Sequence, residues 1–166
     1  MPRRHAKPGV QPVYRTKPLQ AHVDDSYKAR GKPHDPTVCP ACKAVFHDGR
    51  WRWMPAPSPA REEPCPACHR IRDDQPAGYV KLEGAFLREH RDEILALVRN
   101  LEQKEKAAHP LQRIMKIADE ADGVLVTTTD SHLARNVGEA LRHAYQGELE
   151  IHYNPDDNLA RVHWKR

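Results

Sequence analysis

The four cysteines of this chain fall into two identical Cys-Pro-Ala-Cys pairs, Cys39/Cys42 and Cys65/Cys68. Two residues between the thiols let one tight turn direct both sulfur atoms toward a single ion, and two such turns complete a tetrahedron. Four cysteines at this spacing are a donor set that zinc (Zn2+) takes in structural sites. The spacing therefore predicts one structural zinc ion bound by all four cysteines.

The segment that contains these pairs, residues 38–80, has few apolar side chains with which to build a core. They are Val38, Val45, Phe46, Trp51, Trp53, Met54, Ile71, Tyr79 and Val80. Structural zinc stabilises small modules of this kind by on the order of 10 kcal/mol or more. Two short strands around Asp48-Gly49 predict a hairpin beside the first pair. We therefore expect residues 38–80 to form a four-cysteine zinc ribbon that is largely unfolded without its metal.

Two other chemistries use a Cys-x-x-Cys pair. The sequence Cys65-Pro-Ala-Cys68-His69 has the form of a covalent c-type haem site, but haem attachment requires export, and the first residues show no secretory pattern. A thioredoxin-like dithiol would follow a strand in a βαβ unit and would not need a second identical pair. Zinc accounts for both pairs, so we favour it over haem and over redox catalysis.

No residue pattern in the chain predicts a catalytic site. The sequence contains 11 histidines, but none belongs to a His-Glu-x-x-His pair, and there is no Gly-rich phosphate loop. Ser131 beside His132 lacks the setting of a catalytic nucleophile and is better interpreted as the first turn of a helix. We therefore expect a non-enzymatic protein without a small-molecule substrate.

The positive charge of the chain is concentrated in residues 1–37. This segment has eight Lys or Arg and three Asp, hence +5, against +4 for the whole chain. Its prolines and scattered charges predict a disordered basic arm. The arm could contact nucleic-acid phosphates, or it could be a solubilising extension. The cations that we assign to phosphate contacts are Arg3, Arg4, Lys7, Arg15 and Lys17.

The sequence Arg50-Trp51-Arg52-Trp53 alternates cations with aromatic side chains. On a strand, this alternation could direct the arginines toward phosphates and the indoles toward unstacked bases. The alternative is that Trp51 or Trp53 supplies the missing core of the ribbon while Arg50 and Arg52 are solvated. The first interpretation predicts a nucleic-acid contact at these four residues.

The remaining residues predict an α+β unit. In residues 81–110, apolar side chains recur every three or four positions over 83–106, which predicts a connecting amphipathic helix. Residues 111–166 then predict strands at 111–118 and 124–128, a helix capped by Thr129 or Asp130, and strands at 149–153 and 159–164. The order ββαββ favours a four-stranded, mostly antiparallel sheet with helices on one face.

With these motifs in place, residues 38–164 resemble the amino-terminal part of the Nmd3 family, the zinc-binding ribosomal adaptor proteins of archaea and eukaryotes, and short bacterial proteins related to it. The paired cysteines carry the resemblance, together with residues 122–144, DGVLVTTTDSHLARNVGEALRHA. The chain lacks the long carboxy-terminal part of those adaptors and has a longer Pro-rich loop between its cysteine pairs. The resemblance implies the zinc fold and an association with the large ribosomal subunit or its RNA.

No apolar run reaches the roughly 18 to 20 residues of a membrane span, so we expect a cytoplasmic protein without membrane contact. The function that these features favour is a zinc-binding protein that associates with RNA or the ribosome. The alternative is a zinc-dependent protein-interaction or redox-responsive module, with a protein as its partner.

Overall fold

The computed structural model describes residues 13–16, 27 and 31–166 of the chain. The strands are β1 (Val13–Thr16), β2 (Thr37–Val38), β3 (Val45–His47), β4 (Arg50–Arg52), β5 (Arg61–Glu62), β6 (Gly78–Glu83), β7 (Ile114–Glu120), β8 (Gly123–Thr128), β9 (Glu148–Asn154) and β10 (Leu159–Lys165). The helices are α1 (Pro66–Asp73), α2 (Ala85–Glu89), α3 (Arg91–Ala108) and α4 (Ser131–Tyr145).

The larger of two sheets has six strands in the order β1-β9-β10-β6-β8-β7. The pairs β6/β8, β7/β8 and β9/β10 are antiparallel, whereas β10/β6 and β1/β9 are parallel. Strand β6 therefore joins the β7/β8 hairpin to the β9/β10 hairpin, and its Val80 lies between Val126 and Val162. The result is a mixed sheet whose centre is β6.

One face of this sheet carries the main core. Along β6, Gly78, Val80 and Leu82 are buried and alternate with half-buried residues, because successive side chains of a strand point to opposite faces. Helix α4 packs on β10 and β6, and α3 packs beside α4. The buried core residues on the sheet and helices include Leu82, Ile94, Leu95, Val98, Val126, Leu133, Val137, Leu141, Val162 and Trp164. Within the described residues, no helix is long and apolar enough to cross a membrane.

Helix α4 begins and ends where its sequence requires. The carboxylate of Asp130 accepts a hydrogen bond from the Leu133 N–H at 3.0 Å and so caps the helix, which confirms one of the two predicted caps. At the other end, Gln146 and Gly147 have positive φ angles of 63° and 97° and turn the chain into β9. These ends place the amino terminus of α4 directly after β8.

The cysteine segment forms a second sheet, in the order β4-β3-β2-β5, followed by α1. Strands β3 and β4 are the predicted hairpin, and Asp48 and Gly49 in its turn have positive φ angles of 51° and 78°. We call residues 31–76 the finger and residues 77–166 the αβ domain. The Ala77 N–H donates to the carbonyl of Thr128, and the Ala160 N–H donates to the carbonyl of Ala77. Backbone pairing with the larger sheet therefore begins at Ala77, which is why we place the boundary there.

The α+β class is confirmed, whereas the sheet differs from the predicted four-stranded antiparallel unit. The elements of residues 111–166 follow in the predicted order, but β6 is inserted between the two hairpins and makes the sheet mixed. The boundary placed at residue 80 falls inside β6. The helix predicted over 83–106 is two helices, α2 and α3, that meet at His90.

The predicted arm is not disordered along its whole length. Its residues Val13–Thr16 form the edge strand β1, paired in parallel with β9, because backbone hydrogen bonds to a neighbouring strand do not require apolar side chains. Residues 31–37 belong to the finger. Residues 1–12, 17–26 and 28–30 lie outside the described residues, and disorder there stays a prediction.

Candidate metal centre

The two cysteine pairs are positioned by different local structures. Cys39 and Cys42 lie in a tight turn between β2 and β3, closed by hydrogen bonds from the Cys39 N–H to the Ala44 carbonyl (2.8 Å) and from the Lys43 N–H to the Cys39 carbonyl (2.9 Å). Lys43 adopts a left-handed conformation with φ 67°. This turn is the knuckle that the Cys-x-x-Cys spacing predicts.

The second pair lies on a helix, so the site does not consist of two alike knuckles. Cys65 is the N-cap of α1, and its sulfur accepts a hydrogen bond from the Cys68 N–H at 3.4 Å. Pro66 follows in the first turn, where a missing N–H costs nothing. The positive end of the α1 dipole therefore lies against the sulfur atoms and favours their anionic form.

The four sulfur atoms converge on one point. They lie within 4.8 Å of one another, and the sulfurs of Cys42 and Cys65 are 3.7 Å apart. A tetrahedral zinc ion with Zn–S bonds of about 2.3 Å separates its sulfur ligands by about 3.8 Å. Cys39 and Cys65 are fully buried, and Cys42 and Cys68 are half-buried. Donor type, number and spacing thus fit a closed tetrahedral metal site, and the expected ligands are all brought together.

Burial and neighbouring groups shift the pKa values of these thiols in different directions. Burial opposes the ionisation of Cys39, but backbone N–H groups, that of Cys65 foremost, bring its pKa down to about 6. Burial raises the pKa of Cys65 well above the usual thiol value, and the charges of Cys42 and Cys39 raise it further. Burial also raises the pKa of Cys68. Four such sulfurs carry negative charge together only with cations beside them, a requirement that a divalent metal meets.

Arg113, which directly precedes β7 of the αβ domain, is a cation that contacts these sulfurs. Its guanidinium N–H groups donate to Cys42 at 3.0 Å, to Cys68 at 3.3 Å and to Cys65 at 3.6 Å. The residue is only 7% exposed. Burial lowers the pKa of Arg113, but the thiolates of Cys42 and Cys68 outweigh it and raise that pKa above the usual value. A permanent positive charge is therefore buried beside the cysteines.

Thr129 and Pro110 hold Arg113 in place. The Thr129 hydroxyl accepts from the Arg113 N–H at 3.0 Å and donates to the Leu111 carbonyl at 2.6 Å. The Thr129 N–H donates to the Arg113 carbonyl at 2.9 Å, and Arg113 Nε donates to the Pro110 carbonyl at 2.8 Å. The sequence gives no sign of this role for Arg113, because the residue lies 45 positions after Cys68 and no local pattern connects the two. Thr129 was considered only as a helix cap.

The four residues proposed to contact nucleic acid on the finger have different environments. Trp51 is half-buried, lies edge-on to Phe46 with ring centroids 5.7 Å apart, and packs against the cysteines. The Trp53 indole N–H donates to the Lys106 carbonyl at 2.7 Å, and the residue as a whole is 39% exposed. Both indoles thus have structural contacts in the protein.

The arginines of this hairpin are partly or fully accessible. Arg50 is exposed at the start of β4, and Arg52 is half-buried, 3.9 Å from the carboxylate of Asp48. Of the arm's assigned cations, Arg15 lies in β1, where its backbone is paired opposite His152. Arg3, Arg4, Lys7 and Lys17 lie outside the described residues, so their assignment stays a prediction.

The chain matches no known family model, no curated protein and no solved structure. The resemblance to the Nmd3 family therefore stays a prediction. The cysteine centre and the charge distribution of the chain are the features that bear on its function.

Proposed function

We propose that Cys39, Cys42, Cys65 and Cys68 bind one structural zinc ion, and that the metal-stabilised protein is a non-enzymatic component that associates with RNA or the ribosome. The observation that carries the metal assignment is the convergence of four sulfurs, from a knuckle and a helix N-terminus, at the spacing of a tetrahedral site. Four sulfur ligands leave no open coordination position for a substrate, which supports a structural role rather than a catalytic one.

Elemental analysis of protein purified without chelators tests the metal assignment. We expect about one zinc per chain and no Soret band. A cobalt-exchanged sample should show the visible spectrum of a tetrahedral sulfur site. Metal content below about half an equivalent, or a cobalt spectrum without sulfur-to-metal charge transfer, would contradict the assignment.

The association with RNA rests on where the cations are. Residues 1–37 sum to +5 and residues 38–166 to −1, so the basic arm is separate from a nearly neutral remainder. Within that remainder, Arg50 and Arg52 add cations to the hairpin beside the metal centre. Phosphate-rich RNA is the partner class that such a charge distribution suits, and ribosomal RNA also offers unstacked bases for aromatic side chains.

Deletion of residues 1–12 tests the arm without removing β1. The deletion removes Arg3, Arg4 and Lys7, so the logarithmic salt slope of RNA binding should fall by about 2 to 3 if all three neutralise phosphates. The fold and the zinc content should not change. An unchanged slope would mean that these cations do not contact phosphates and that this part of the arm is a solubilising extension.

Charge reversal on the finger tests the second group of cations. The double variant R50E/R52E should leave the ribosomal fraction in sucrose gradients, whereas the matched variant R99E/K104E, which reverses two exposed cations of α3, should remain. Zinc content is checked in both. If wild-type protein stays at the top of the gradient at physiological salt, or if its capture by partners resists RNase, the protein-interaction alternative replaces the RNA proposal.

A further inference from the structure

We propose that Arg113 is the positioning residue that determines how firmly the four-cysteine centre retains its metal and how slowly its thiolates react with electrophiles, and that Thr129 acts on the centre through Arg113. This inference rests on the proposed zinc site and goes beyond it, since it assigns the properties of the centre to two residues of the αβ domain that provide no metal ligand.

The geometry of the guanidinium is the first argument. Its N–H groups lie 3.0 to 3.6 Å from the sulfurs of Cys42, Cys68 and Cys65, so one planar cation spans three of the four ligands. Arginine presents five donors in a fixed plane, whereas lysine is a point charge with three donors on a flexible stem. Partners of metal ligands in other proteins typically change metal affinity 10- to 100-fold when they are removed.

Charge is the second argument. Four thiolates around one divalent ion carry a net charge of −2, and the buried guanidinium reduces it to −1. A sulfur that accepts an N–H bond from a cation has its electron pair stabilised, so it is a poorer nucleophile. Arg113 should therefore protect the sulfurs that are the more exposed, since Cys42 and Cys68 are the half-buried pair. On this basis the centre is built to persist rather than to respond to oxidants.

Thr129 supplies the third argument because it fixes the backbone from which the guanidinium extends. Its hydroxyl and N–H engage Arg113 and Leu111 in three hydrogen bonds of 2.6 to 3.0 Å, and the residue is 6% exposed. It follows the last residue of β8, so the central sheet determines its position. The Thr-rich turn before α4 therefore has a role toward the metal centre, in addition to preceding the helix cap.

The test compares zinc release from full-length R113Q, R113K and R70Q with that from wild type. Arg70 is the matched control because it is also buried, at 6% exposure, and its guanidinium donates to the Gln75 carbonyl and lies over the Tyr27 ring. Zinc transfer to an excess of a chromogenic chelator should be 10- to 100-fold faster for R113Q and within about twofold for R70Q. R113K should be intermediate, since one ammonium cannot span three sulfurs.

Two further readouts separate this role from a merely structural one. In the cobalt-loaded protein, R113Q should shift the sulfur-to-cobalt charge-transfer band, because that band reports electron density on the sulfurs. Under iodoacetamide, a thiolate sulfur forms a bond to carbon as iodide leaves. R113Q should be alkylated at Cys42 and Cys68 at least tenfold faster than wild type, as measured by mass spectrometry of peptides.

A double-mutant cycle tests Thr129. T129V, which keeps the volume and removes the hydroxyl, should accelerate zinc release less than R113Q does. The double variant should release zinc no faster than R113Q, since Thr129 acts through the residue that is missing. Additive effects would remove Thr129 from the proposal.

The outcomes distinguish this inference from the proposed function. If wild type binds no metal, the proposed function fails. If wild type binds zinc and folded R113Q matches it in release rate, cobalt spectrum and alkylation, only the role of Arg113 is refuted. Should R113Q fail to fold, R113K and T129V serve as the test, because both keep a positive charge at position 113. If both release zinc and react as wild type does, the proposal is overturned.

Discussion

Cys65→Ser separates metal binding from the helix-capping role of that residue. Cys65 is both a metal ligand in the proposed site and the N-cap of α1. Serine is a preferred N-cap, worth about 1 kcal/mol over residues that do not cap, so the helix start is retained or improved. What the substitution removes is one sulfur from the tetrahedral set. The effect should therefore come from the metal and not from the helix.

The expected size of the effect follows from the small core of the finger. The buried cluster at the cysteines consists of Cys39, Cys65 and Ala67, with Trp51 and Leu111 packed partly buried against it. The other buried apolar side chains of the finger are Ala44, Val45 and Phe46. Even a fully buried large apolar side chain contributes only about 3 kcal/mol, whereas structural zinc contributes about 10 kcal/mol or more. Without metal, no single side chain of the finger contributes a stabilisation of comparable size. We expect its structure to be lost up to about Ala77.

The αβ domain should remain folded, because its core of sheet and helix residues contains none of the cysteines. Hydrogen exchange measured by mass spectrometry on metal-free C65S should show loss of protection in β3 and α1 and retained protection in β6 and α4. Emission from Trp164, fully buried in the αβ core, should stay blue-shifted. Protected amides in α1 of a metal-free sample, or global unfolding, would refute the reasoning.

Three further predictions address other parts of the chain. The hydrogen bond from Lys81 is the main cause that lowers the pKa of Glu83 from 4.5 to about 2. The ionised carboxylate therefore stabilises the fold fully above about pH 4.5, and this stabilisation is lost as the pH falls toward 2. Glu83→Gln should lower the melting temperature at pH 7, by a gap that narrows between pH 4.5 and 2; a constant gap would contradict this. Gly138→Ala would place a Cβ 2.5 Å from Val162 Cγ1. Overpacking costs about 1 to 3 kcal/mol, which exceeds the gain of about 1 kcal/mol in helix propensity. Urea unfolding should therefore show a lower free energy of unfolding than that of wild type. An isolated peptide of residues 31–76 should lose zinc to a chelator 10- to 100-fold faster than the full chain, since it lacks the guanidinium beside the sulfurs; equal rates would show that the αβ domain does not support the centre.

The parts of the structure that could be predicted depend on local sequence. The cysteine pairs converge because the spacing within each pair is itself the constraint. Helix α4 has its cap at Asp130 and an apolar face of regular period, and the β9/β10 hairpin surrounds a turn of Asn, Pro and Asp residues. In each case, residues within about four positions of one another determine the element.

The parts that could not be predicted depend on distant partners. Strand β6 alternates buried and half-buried residues over Gly78–Glu83, but both of its neighbours, β8 and β10, lie 40 or more residues away in sequence. The break between α2 and α3 leaves the apolar period unchanged, so periodicity gives no sign of it. Gly84, before α2, has φ 108°, and a Cβ there would lie 2.0 Å from the Arg166 carbonyl oxygen, a constraint imposed by the chain's last residue.

The metal centre also depends on contacts between residues that are distant in sequence, and this dependence has a functional consequence. Contacts between the finger and the αβ domain include Arg113 with the sulfurs, Leu111 packed against the buried cysteines, the Trp53 indole with the Lys106 carbonyl, and Asp74 with Lys116 at 2.8 Å. The ion pair is exposed and contributes about 1 kcal/mol or less, whereas the contacts of Arg113 and Leu111 are both made to the cysteine centre itself. If the proposed zinc ion is lost, we therefore expect the attachment of the finger to the αβ domain to weaken as the finger unfolds. A partner that contacts both parts of the chain would bind only the metal-loaded protein.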